Sequence, residues 1–402
     1  MLHKHTIQKQ CIDIHFDNFS AGIALQNDTT SLFYEQLLPG MEKLFDELVG
    51  ENQVVTIDSL EIDCGVLTGN HWQEALVQEA LRRLRHELGM MGKKSIRTAD
   101  DAAMQAADDL LFFLENGRLP WNSRIQSMAE LEQVTPAGSV AAALKTILQS
   151  RTQAIVRLVN EFSATFVDKI ITLLVEDGEQ DNEMRMHLPL SGMPAPSRKE
   201  AQRQLLKKCL NTGMDANEVQ KKETPARKKD TAAAADGLYV NNAGLLLLHP
   251  FMPEMFRRLE LLNDGQWRDE ASQHTAVRVL EWLATGKETA PEFNLTLNKI
   301  ICGMASDAVL LVNDQWNPVI ETECNDLLDS VIRYWTALKN TGREALRETF
   351  LQRLGKLTPT DHGWLLQVEQ KAVDVLLNRL PWGIGVIKLP WMDKKIFVEW
   401  MG

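Results

Sequence analysis

The sequence predicts an α+β chain, mostly helical, and three patterns predict it. In the first 92 residues, apolar–polar alternation is interrupted by segments whose apolar residues recur three to four apart. From 97 to 176 the helical spacing runs on without alternation. From 237 onward, helical spacing accompanies eight of the ten tryptophans and a terminal hairpin pattern.

Taken in order, 1–92 reads as a small β-α-β-α unit. Ile12, Ile14 and Phe16 alternate with Asp13, His15 and Asp17, the signature of a half-buried strand. Leu37, Met41, Leu44, Phe45 and Leu48 mark a helix that Pro39 should kink or restart. VVTIDSLEIDCG (54–65) is the second strand, with a phase shift that suggests a bulge. Trp72, Leu76, Ala80, Leu81, Leu84 and Leu88 lie on one face of a second helix.

Residues 97–176 read as a helical bundle, with ADDLLFFLENGRLPW (107–121) stopped by Gly117 and Pro120. Residues 177–236 read as a flexible basic linker, rich in Pro, Ser, Ala and charge, with a short helix at 199–210. Between 198 and 229 there are ten Lys or Arg against four Asp or Glu, in a chain of net charge -12. Lys221, Lys222, Arg227, Lys228 and Lys229 are therefore candidate contacts for an acidic partner surface, against the plainer reading of a solvated linker.

Residues 237–402 read as a helical domain with a terminal hairpin. VNNAGLLLLHPFMPEMFRRLELL (240–262) is its entrance: four leucines enter a core, and a helix restarts after Pro250 with Met252, Met255, Phe256, Leu259 and Leu262 inward. Leu327, Leu328, Val331, Trp335 and Leu338 mark another helix, and Val373, Leu376, Leu377 and Leu380 a further one. GVIKLPWMDKKIFVEW (385–400) reads as a β-hairpin around Pro390–Lys394. An isolated hairpin is marginal, so it is expected to pair with the N-terminal strands near Ile14 and Ile62.

Composition narrows the function. The 402 residues are 44% hydrophobic and 24% charged, ordinary for a globular chain. The acid excess argues against nucleic acid as main partner. No apolar run reaches the roughly 18–20 residues of a spanning helix, and the N-terminus lacks a signal-peptide core. Five cysteines without CxxC spacing fit a reducing, cytoplasmic setting.

No nucleotide-binding loop, HExxH, GxSxG or EF-hand pattern is present. We expect no enzyme, catalytic set, cofactor or metal. His15 with Asp13 and Asp17 reads as a hydrated strand face, and Glu61 and Asp63, alternating with Leu60 and Ile62, as the solvent side of the second strand or, alternatively, as salt-bridge partners of another strand. His249, on a break before Pro250, lacks a nucleophile or orienting acid and reads as a backbone-satisfying histidine. LPW occurs three times, and its Trp121, Trp382 and Trp391 are domain staples or, as the sharper reading, interface anchors, Trp391 being exposed at the hairpin tip.

Several long motifs occur in one order. They are HTIQKQCIDIHFDN, ALQNDTTSLFYEQLLPGMEKLFDEL, TIDSLEIDCGVL, FFLENGRLPW, NNAGLLLLHPFMPEMFRRLELL, EWLATGKETAPEFNLTLNKIICGM, YWTALKNTGREALRETFLQRLGKL, GWLLQVEQKAVDVLLNRLPWGIGVIKLPWM and FVEW. Together they resemble the contractile injection system tape measure protein family over most of the chain except about 178–236. The resemblance implies a non-enzymatic assembly protein of phage tail-like particles that sets inner-tube length. Implied partners are the inner tube, the baseplate hub and spike, and another copy of the chain, without nucleic acid or membrane. The implied place is the cytoplasm during assembly and then the inside of the tube. The alternative is an adaptor or chaperone for tube, hub or cargo components. Fully helical, the chain would reach ~600 Å, whereas a stretch of about 60 linker residues reaches ~200 Å.

Overall fold

The computed structural model describes residues 22–48, 71–90, 96–97, 99–136, 138–176, 195–210, 237–311, 316–339 and 341–400, with short pieces between 5 and 14 and between 54 and 67. The chain divides into two compact units, Met1–Ala106 and Ala107–Gly402.

In the first unit, α1 (Gly22–Leu32) runs into a π-helical turn at Phe33–Leu37 and then α2 (Leu38–Leu48). Proline 39 cannot donate to residue 35, and its ring crowds that carbonyl. The wide turn takes up this conflict: the Leu38 N–H donates to the Phe33 carbonyl, five residues back. Leu37, Met41 and Leu44 then meet Leu84 of α3 (Trp72–Met90). Leu60 and Ile62 pack against this small core, while Glu61 and Asp63 are exposed.

The α+β, mostly helical class stands. The expected first strand is corrected, because residues 12–14 are exposed and have no regular structure. The second is reduced to β1 (Val54–Val55), antiparallel to β2 (Ile96–Arg97). Leu60 and Ile62 keep their inward alternation, but among the described residues no strand pairs with them.

In the second unit, one core gathers the end of α4 (Ala99–Asn116), α6 (Ser139–Ser150), α7 (Thr152–Glu161) and α8 (Ala164–Glu176), after the short α5 (Met128–Leu131). Within the stretch read as linker, α9 (Ala195–Cys209) packs on α7 and α8, with Leu206 and Leu210 buried.

A second core is built from 237 onward. Leu245–Leu248 are buried in a 3-10 turn (Ala243–Leu248), followed by α10 (Met252–Arg258), whose Met252, Met255 and Phe256 face inward as expected. Helices α11 (Glu270–Thr285), α12 (Thr296–Ile301), α13 (Pro318–Tyr334) and α14 (Arg343–Leu346) complete the helical part.

They cover a five-stranded sheet of order β3-β6-β7-β9-β8, formed by β3 (Leu238–Val240), β6 (Gly355–Thr360), β7 (Gly363–Val368), β8 (Val386–Ile387) and β9 (Lys395–Glu399). A separate ribbon joins β4 (Leu262–Asn263) and β5 (Gln266–Trp267). Register aligns Leu238, Leu357, Leu366 and Val398 across one face of the sheet, and Trp364, Ile396 and Ile387 beside them. Burial of such side chains stabilises by about 1.5–3 kcal/mol each.

The terminal hairpin forms, as β8 antiparallel to β9. Its expected pairing with the N-terminal strands is corrected: β9 lies parallel to β7. The reason is local supply. The unread hairpin β6–β7 presents an edge and an apolar face that the terminal hairpin completes. Gly363 permits this approach, since a Cβ there would lie 2.1 Å from the Lys395 carbonyl oxygen.

Candidate functional site

The most unusual chemistry lies where the two cores of the second unit meet. Helix α7 is laid down by AIVRLVNEF, in which Arg157 interrupts an apolar run and falls on the buried face with Ala154, Ile155 and Leu158. Arg157 and Lys299 are fully buried and Glu292 is 1% exposed. An isolated buried charge is costly, so each is held by partners.

Arg157 Nε donates to Glu292 Oε2 at 2.9 Å and its Nη2 to Oε1 at 3.2 Å. Nη1 donates to the Leu114 carbonyl at 2.6 Å and Nη2 also to the Asp307 carbonyl at 2.7 Å. Lys299 Nζ donates to Glu292 Oε1 at 2.6 Å. The Glu292 N–H donates to Glu161 Oε2 at 2.9 Å. The planar guanidinium suits this fork, whereas an ammonium would not.

Electrostatics follow from burial. The Glu161 carboxyl is pushed up from its ordinary 4.5 to about 7, first by loss of water and next by the nearby Glu292 charge. Burial likewise pulls the Lys299 ammonium down. Gly117, with φ +67°, ends α4 against this cluster. A Cβ there would lie 2.6 Å from both Arg157 Nη2 and Glu292 Oε1.

Two smaller polar clusters pin the second core. Asp374 receives Arg353 Nη2 at 2.5 Å and the Trp400 indole N–H at 3.1 Å, tying the chain end to the 3-10 helix Ala372–Arg379. Asn242 donates to Glu281 at 3.2 Å and to Asn298 at 2.8 Å, and burial raises the Glu281 carboxyl.

The residues singled out from sequence are dispersed. Trp391 is buried, its indole N–H donating to the Ile301 carbonyl at 2.8 Å and its ring 4.8 Å from that of Trp267. Its expected exposure at the hairpin tip is corrected: the loop folds back on the core, and α12 offers the indole a carbonyl. Trp382 is half-buried, donates to the Leu247 carbonyl at 3.0 Å and meets Phe251 edge-on. Trp121 is half-buried in the turn after Pro120. Lys221, Lys222, Arg227, Lys228 and Lys229 lie outside the described residues.

His249 Nδ1 lies 2.9 Å from the Leu246 carbonyl, and burial lowers its pKa. His15 also lies outside the described residues. Among the described residues no group of three or more His, Cys, Asp or Glu is placed to hold a metal, and no helix is long and apolar enough to cross a membrane.

Arg157, Glu292, Lys299 and Glu161 were missed in the sequence. The signal was there: single charges inside apolar runs, as in AIVRLV and LTLNKII.

A family model, contractile injection system tape measure protein, matches residues 4–224 and 193–400. The chain belongs to the contractile injection system tape measure protein family, which is structural rather than enzymatic. No curated protein and no solved structure matches the chain.

Proposed function

We propose that the chain sets the length of the inner tube of a contractile injection particle, from a position inside that tube, in contact with tube and baseplate hub or spike subunits. The observation that carries this reading is the family match from residue 4 to residue 400. Such a chain needs ordered ends and an adjustable span. The C-terminal sheet-and-helix core supplies a firm end, and we place the adjustable span in 177–194 and 211–236. We also propose a division into 1–92, 97–176 and 237–402, with α9 of the intervening 177–236 counted with the helical part on which it packs, and with Lys221, Lys222, Arg227, Lys228, Lys229, Trp121 and Trp382 as contacts to partners.

The test is to insert or delete residues within 211–236 and measure tube length by electron microscopy. Tube length that tracks the change supports a ruler. Unchanged length with normal assembly removes this segment as the ruler.

A second reading, an adaptor or chaperone for tube, hub or cargo components, is favoured by the extent of the folded core in 237–400. The two part on composition of the finished particle: a ruler is retained within the tube, whereas a chaperone is absent.

A further inference from the structure

We propose that the helical layer formed by residues 107–176 and α9 opens from residues 237–400 as one body, with the buried charge cluster as its plane of separation. This goes beyond the assembly reading and does not need it.

The first ground is the division of apolar packing. The helical layer and the C-terminal domain have separate cores with no residue in common. Among the described core residues Phe293 alone crosses, packing edge-on to Phe113 at 5.7 Å. Opening therefore leaves both cores almost whole, so most of the hydrophobic stabilisation stays within each body.

The second ground is what fills the boundary. Arg157 meets Glu292 and the Asp307 carbonyl. Glu161 accepts from the Glu292 N–H. Asn160 Nδ2 reaches the Leu310 carbonyl at 3.4 Å. These contacts land on two short stretches, 292–293 and 307–310. Attraction in a buried ion pair is largely offset by lost hydration, and opening returns these charges to water. A charged boundary between two intact apolar cores is thus where separation costs least.

Proton binding tunes it. Glu161 faces Glu292 and Lys299 across the boundary and Arg157 on its own helix. From α9, Arg203 lies 3.5 Å from the neighbouring Asn160. His274, on α11, senses Glu292 and Lys299. Because the folded carboxyl titrates at about 7 and the opened one at the ordinary 4.5, the closed form holds a proton that the open form releases. Raising the pH from 6 to 8 should raise the opening constant roughly tenfold through this group.

The test is native-state hydrogen exchange on the full chain at pH 6 and pH 8 in sub-denaturing urea. The expected result is exchange of the Glu292 amide, which bonds across the boundary to Glu161, at lower free energy than the internal amides of α7, α8, α11, β6 and β7, which stay bonded when the two bodies part whole. The ratio of opening constants between wild type and Glu161→Gln should change roughly tenfold between the two pH values. Exchange of the Glu292 amide only together with the internal amides of α7, α8 and α11, or a ratio that does not move with pH, overturns the proposal. If Glu161→Gln does not fold, Phe293→Ala decides: faster exchange of the Glu292 amide with unchanged exchange inside α7, α8 and α11 supports it, and equal acceleration of all of them overturns it.

Discussion

Glu161 gives the second unit an unusual pH dependence. Its folded carboxyl is raised from 4.5 to about 7, so its contribution to stability is fully present below about 4.5. That contribution is lost as pH rises towards 7, because the unfolded chain then binds fewer protons than the folded one. Glu161→Gln keeps an acceptor for the Glu292 N–H and removes the titration. We expect its melting temperature, compared with wild type, to gain from pH 5 to pH 8.

The buried histidine His274 acts in the opposite sense. Its Nδ1 accepts the Leu311 N–H at 2.9 Å, and burial lowers its pKa. Acid below about 6.5 therefore destabilises through it, which is why the variant comparison is needed to isolate Glu161.

Glu292 and Gly117 should be the least tolerant positions of the cluster. Glu292→Gln leaves Arg157 and Lys299 buried without their counter-charge, and about 3–5 kcal/mol should be lost, read from urea unfolding. Gly117→Ala places a Cβ within 2.6 Å of the ion pair at a left-handed backbone position. It should cost more than about 1 kcal/mol. The glycine was legible as a helix stop. Its second duty, making room for Arg157, was not, because that close approach involves a residue forty positions away in sequence.

At the scale of elements, hydrophobic periodicity located most helices. It found the inward faces of α2, α3, α10 and α13, because a helix declares its buried stripe within a few turns. Strands were less legible. GKLTPT and GWLLQV carry no strong alternation although they pair with each other as a hairpin, and the rest of their sheet, β3 and β9, comes from more than twenty residues away in the chain. The terminal hairpin was read correctly as a hairpin and assigned the wrong neighbour. Pairing is a choice among edges, and sequence shows edges poorly.

Gly363→Ala tests that element. Its Cβ would meet the Lys395 carbonyl oxygen at 2.1 Å, forcing β9 off β7. We expect roughly 2–4 kcal/mol of destabilisation, in the range of steric disruption of a packed interior. Hydrogen exchange should show β8 and β9 freed first, with the first unit unchanged. A loss confined to the first unit would instead restore the pairing expected from sequence.

For the whole molecule, the tape measure family is carried by long ordered motifs along the chain, and several of these motifs double as core. FFLENGRLPW ends α4 against the charge cluster, and NNAGLLLLHPF enters the second core. Family membership is thereby legible in residues whose immediate work is packing. On the proposed reading, with the adjustable span placed in 177–194 and 211–236, tube lengths from insertions there should scale with extended chain, up to ~3.3–3.6 Å per residue. Growth of ~1.5 Å per residue would signal helix.

By itself the sequence determined the mostly helical class, the entrance at 240–262, the terminal hairpin and the family, because periodicity, turn chemistry and motif order are local properties of the chain. Only the tertiary structure decided that the hairpin joins β7, that Trp391 is interior, and that Arg157, Glu161, Glu292 and Lys299 meet. Those outcomes depend on which distant segments share a boundary. A charge in an apolar run announces that it needs a partner, and only folding in three dimensions chooses which one.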